Sequence, residues 1–252
     1  MASKPSSSAP PSGEPSSLFS HAPACLLGLL LAFPARGFFL SQFVLQFIGT
    51  LVHELGHVTA GLAFGRIAIP ALYLEGGGKA AIIFDPGPAG AVVIAVLAAG
   101  AVLRLLEGRT RLIALVALIP YLVIGLTHGR DLVFSAGGHL SEMIWIGFAL
   151  HLCLVNEGIS GAERVLYALS GWFLWLDRMK LFWTLRLNPN ERIAYFNRGS
   201  EMGTVSDLLE LSVLGLGTFE TVAVGFTVLG LLVVAGVAWE AWGEHPSARV
   251  DN

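Results

Sequence analysis

The sequence predicts an all-α polytopic membrane protein of about five to six transmembrane helices, with one short β-hairpin after the second helix. Composition is the first reason. The chain has 252 residues, 54% of them hydrophobic and only 13% charged, with a mean hydropathy of +0.70, whereas a soluble domain carries about 25% charged residues. Long uncharged runs separated by short polar stretches are the second reason. The third is the segment 67–84, where apolar residues alternate around a glycine cluster. The net charge of −3 shows no basic block, so nucleic acid is not an expected partner. The lipid bilayer is, and a multi-pass location in a plasma (inner) membrane is the expectation. Cys25 and Cys153 both lie in apolar runs and read as buried thiols, not as a disulfide framework. The oligomeric state is not fixed by any of these features.

Residues 1–21 are rich in Ser, Pro and Ala and read as a disordered tail. Ala22 to Phe33 is apolar but too short to cross a bilayer, and Pro34 ends it, so an interfacial or re-entrant helix is expected. Gly37 to Phe64 is the first full span, closed by Gly65 and Arg66. The alternation from Ile67 to Phe84, broken by Glu75-Gly76-Gly77-Gly78-Lys79, predicts two short strands. Asp85-Pro86-Gly87-Pro88 opens a small-residue helix running to about Leu106, of the kind that packs closely in membranes. A loop with Arg104, Glu107, Arg109 and Arg111 leads to Leu112–Thr127, which carries Pro120. Leu132 to Val155 is the next span, and its start lies at the depth of the second half of the Gly37–Phe64 helix. Residues 22–156 thus form the membrane core. Residues 157–212 hold many charges and three tryptophans, Trp172, Trp175 and Trp183, and predict an interfacial or cytoplasmic helical segment. Residues 213–243 contain a C-terminal span and 244–252 a polar tail.

Inside the first span stands His53-Glu54-Leu55-Gly56-His57. Side chains four apart lie on one face of a helix, so His53 and His57 can offer two imidazole nitrogens to one metal ion. Glu54 can then address a water beside that metal instead of the metal itself. Two neutral nitrogen donors, an open position and a base are what a zinc hydrolase needs, so Zn2+ is the expected cofactor. Three ionisable groups in a lipid-facing helix are otherwise costly. A catalytic zinc takes a third protein ligand. His139, after the Gly137-Gly138 pair, and Asp131 are the alternatives for it, with His139 placed first. Glu142, one turn beyond His139, can orient a ligand from behind.

The stretch His53 to Gly90 resembles the site-2-protease-like family of intramembrane zinc metalloproteases, as a compact member without a PDZ domain. The matching residues are His53-Glu54-Leu55-Gly56-His57, Ala60, Gly65, the glycines at 76–78 and Gly87-Pro88. The resemblance implies a metalloendopeptidase that cleaves in or near a transmembrane segment of another membrane protein. It also implies zinc held by His53 and His57, with Glu54 as catalytic base. The family commonly takes its third ligand from an Asp-Gly pair after Asn-Pro; here Asn188-Pro189-Asn190 has none. That departure favours a rival expectation, an inactive pseudoprotease acting as a membrane scaffold or chaperone. A transporter ranks last, because no internal repeat is visible.

Overall fold

A computed structural model describes residues 18–73, 77–156, 158–201 and 206–243. The tails expected at 1–21 and 244–252 fall outside these, except that residues 18–21 already belong to the first helix. The protein is mainly helical with one two-stranded antiparallel hairpin. The helices are α1 (Leu18–Ala35), α2 (Phe39–Leu62), α3 (Pro88–Leu105), α4 (Gly108–Leu126), α5 (Gly129–Leu154), α6 (Gly161–Leu187), α7 (Pro189–Glu201), α8 (Asp207–Leu211) and α9 (Phe219–Gly243). The strands β1 (Ile67–Leu72) and β2 (Gly78–Phe84) lie between α2 and α3. They pair from Ile67 with Phe84 to Leu72 with Gly78, as the alternation predicts.

Three helices, α3, α4 and α9, are each long and apolar enough to cross a bilayer, so this is a membrane protein. A fourth span is added if α1 and α2 are counted together, but these meet at 110°. The short apolar stretch before Pro34 therefore forms a helix turned sharply away from the helix that follows. Gly87, at φ 64°, takes the left-handed conformation that lets Pro88 open α3 directly after the hairpin. Pro120 sits inside α4, which runs on through it. At the far end of α2, the Tyr121 hydroxyl donates to the Ala63 carbonyl (2.5 Å), a group left unpaired where the helix ends. α6 begins with a complete capping box between Ser160 and Glu163.

Small residues decide which helices meet. A Cβ placed on Gly56 would stand 2.2 Å from the Gly137 carbonyl oxygen, and one on Gly137 would stand 2.7 Å from that of Gly56. α2 and α5 are thus in backbone contact at the level of the HExxH motif, as their common depth predicts. On the other side, a Cβ on Gly28 of α1 would meet Ala168 of α6 at 2.4 Å. The segment 157–212 accordingly contributes to the interior. Phe182 and Leu185 of α6 are buried with Met143, Ile146 and Leu150 of α5, and Leu208 and Leu211 of α8 close the same cluster. Cys25 and Cys153 are free, buried thiols within it.

The root of the hairpin is clamped by charge. Arg66, just before β1, pairs with Asp85, just after β2 (2.8 Å), and with Asp131 in the first turn of α5 (2.7 Å). Arg130 adds a longer contact to Asp85, and the Gly87 N–H donates to it (2.8 Å). Partial burial works against ionisation of Asp85, but the Gly87 N–H and the Arg66 guanidinium outweigh it and hold its carboxyl below the usual range. A lowered folded-state pKa means a contribution present above about pH 4 and lost as the pH falls through the folded value. Asp85→Asn is therefore expected to lower the unfolding temperature slightly at pH 7, by about 1 kcal/mol or less for a half-exposed pair. The gap from the parent should close towards pH 3; a gap that persists there would assign the effect to something other than the charge.

Candidate metal centre

His53 and His57 stand on successive turns of α2, and their Nε2 atoms are 3.1 Å apart. The residue that the fold brings to this pair is Asp207, at the start of α8. Its Oδ2 lies 2.8 Å from His53 Nε2 and 3.1 Å from His57 Nε2. Three donor atoms from two elements far apart in the chain therefore converge on one point.

The donor set fits a cation. His57 Nδ1 lies 2.7 Å from the Phe134 carbonyl oxygen, which can only accept, so Nδ1 carries the ring hydrogen. A neutral His57 then turns a bare lone pair towards Asp207 Oδ2, itself an acceptor, at 3.1 Å. Two acceptors hold that distance only with a positive charge between them, which either a proton on His57 Nε2 or a metal ion supplies. A tetrahedral zinc with bonds of about 2.0–2.1 Å needs donors about 3.3 Å apart, close to the separations here. His53, His57 and Asp207 would hold it, with the Phe134 carbonyl orienting His57 from behind.

Of the residues expected from the sequence, His53, Glu54 and His57 meet at this centre, and the two candidates for third ligand do not join it. Asp131 is held by Arg66 at the root of the hairpin, which satisfies its charge there. His139 is buried, but its Nδ1 is bonded to Glu142 Oε2 (2.9 Å) and its ring packs against the stacked pair Phe182 and Phe226. A second cluster, His53, His139 and Glu142, is also compact. Arg178 Nε lies 3.2 Å from Glu142 Oε1 and already supplies a permanent positive charge, which argues against a metal there.

The backbone around the centre is shaped by glycine. A Cβ on Gly138 of α5 would stand 2.5 Å from the His53 ring and 2.6 Å from His57 Nε2. A Cβ on Gly78, the first residue of β2, would stand 2.7 Å from Glu54 Oε1. The strand therefore crosses directly over the Glu54 carboxylate. Between α2 and the hairpin opens a cleft of ≈ 870 Å³, lined by Phe47, Thr50, His53, Glu54, Lys79 and Ala80 among others. The two-stranded sheet leaves the outer edge of β2 unpaired among the described residues.

Compared with family models, with curated proteins and with solved structures, the chain matches none. The site is therefore read from its own geometry. Asp207 carries one sequence signal: it opens the apolar run Leu208-Leu209 after a Ser at 206. That signal does not single it out, since five-residue α8 is too short to show a helical period.

Proposed function

We propose that this protein is a zinc metalloendopeptidase of the site-2-protease-like type, hydrolysing a peptide bond in or near a transmembrane segment of another membrane protein. The observation that carries the reading is the convergence of His53, His57 and Asp207 beside a buried Glu54 at the floor of the cleft. Bound there, zinc supplies Lewis-acid activation of water and of the scissile carbonyl. Glu54 takes the proton from the attacking water and passes it to the leaving amine. The free edge of β2 offers backbone N–H and C=O groups to an unwound substrate segment, laying it as an added strand across the carboxylate. Helical substrate must unwind first, since its peptide groups are otherwise bonded within the helix.

In the same reading α2 and α5 cross the bilayer beside α3, α4 and α9, and α6 makes a sixth span, in a plasma (inner) membrane. The scaffold alternative drew its support from the missing Asp-Gly pair. Asp207 supplies a carboxylate by another route, and a binding-only protein has no use for Glu54 over an open cleft.

The test compares the parent with Glu54→Gln in detergent. Zinc content is measured by mass spectrometry, and hydrolysis is followed on single-span reporter segments weakened by Gly or Pro. Glu54→Gln is expected to keep one zinc per chain and to lose about 10²–10⁴ in rate, the range of general-base catalysis. Parental turnover by Glu54→Gln, or a parent that takes up no zinc, would sink the proposal.

A further inference from the structure

Behind the metal centre lies a buried group that the mechanism above does not use. Glu142 of α5 is completely buried, at 0% exposure. Its Oε1 stands 3.1 Å from His53 Nδ1 and 3.2 Å from Arg178 Nε of α6, and its Oε2 accepts from His139 Nδ1 at 2.9 Å. The two Oε1 contacts are at ion-pair distance and are not aligned hydrogen bonds. On its other side Arg178 faces Asp177, 3.5 Å away at the wall of the cleft.

We propose that Arg178 and Glu142 are positioning residues of the metal centre: Arg178 holds the Glu142 carboxylate against His53 Nδ1, where its charge favours the ring proton on that nitrogen and leaves Nε2 for the metal. The inference rests on the zinc reading above. An isolated buried carboxylate costs several kcal/mol in effective desolvation, so Glu142 stays in position only while a cation and further donors compensate it. Arg178 is that cation, and His139 is the second donor. His139 therefore serves the site indirectly, as a partner of Glu142 whose ring packs against the stacked Phe182 and Phe226. A ligating imidazole whose other nitrogen meets a carboxylate has its tautomer and ring orientation fixed, and loss of such a partner weakens metal binding about 10–100-fold. The competing account is a salt bridge that merely staples α5 to α6. That account ties the pair to stability and leaves the affinity of the folded protein for zinc unchanged.

Zinc affinity, measured in detergent by competition with a chromophoric chelator, separates the two without needing a substrate. Arg178→Met is expected to weaken zinc binding about 10–100-fold, and Arg178→Lys less than that, since a lysine keeps the charge but not the planar fork. Glu142→Gln with Arg178→Met together should weaken binding no more than Glu142→Gln alone, because Arg178 acts only through Glu142. The double variant also removes both charges, and so guards against a single variant that fails to fold. A folded Arg178→Met or double variant with the parental zinc affinity overturns the proposal and leaves the metalloprotease reading standing. Additive losses in the double variant overturn it as well. A parent that binds no zinc removes both.

Discussion

Asp207→Ala is expected to strip zinc from the protein as completely as His57→Ala does, while Asp131→Ala leaves one zinc per chain. The three ligand atoms are 2.8–3.1 Å from one another, and removing the only anionic one leaves two neutral imidazoles with no charge to balance the ion. Two ligands on one helix do not make a catalytic site. The loss should therefore exceed the 10–100-fold expected for a residue that only supports a ligand. Asp131 is engaged by Arg66 at the hairpin root, so its removal should lower stability and spare the metal. Mass spectrometry of purified variants reads both outcomes. Zinc lost from Asp131→Ala and retained by Asp207→Ala would reverse the assignment.

Gly138→Ala is expected to abolish zinc binding although it adds a single methyl group. That methyl would stand 2.5 Å from the His53 ring and 2.6 Å from His57 Nε2, inside the space the two imidazoles occupy. Both rings must turn away, and with them the lone pairs. Overpacking of this kind costs about 1–3 kcal/mol where neighbours can yield, so the protein is expected to fold with a damaged centre. Gly137→Ala should behave differently. Its Cβ would meet the Gly56 carbonyl at 2.7 Å, which is backbone and cannot rotate aside, so the crossing of α2 and α5 is lost and stability falls first. Gly100→Ala, with nothing within 4 Å, is the control. Zinc content and thermal unfolding of the three variants distinguish them; zinc retained in Gly138→Ala would mean that the rings do not sit as described.

Much of this was legible in the sequence because it rests on local rules. The HExxH spacing places two imidazoles on one helix face whatever surrounds them. The alternation around glycines at 67–84 gives the two strands, and Gly87-Pro88 marks the next helix. The common depth of the two helices is legible as well, since α5 meets α2 beside the motif. His139 groups with His53 and Glu142, while Asp207 is the residue that approaches both His53 and His57. The α5 residue that faces the imidazoles is Gly138, and His139, one position on, is rotated by about 100° around the helix into the aromatic cluster. The charges of α6 read as a surface segment because a sequence does not reveal compensation. In the fold Arg164 is buried, donating to the Cys153 carbonyl, and Arg178 meets Glu142. Asp207 depends on the whole chain folding back on itself, which no spacing rule records.

His53 and Asp207 are separated by 154 positions, and at the usual pace of translation, 5–20 residues per second, the second follows the first by about 8–30 s. During that interval α2 to α5 are completed one after another and become available to insert, with two histidines and Glu54 exposed to whatever else is in the membrane, but without the carboxylate that the proposed ligand set needs. In the metalloprotease reading, a nascent chain thus stays unarmed towards its neighbours until Asp207 has been made.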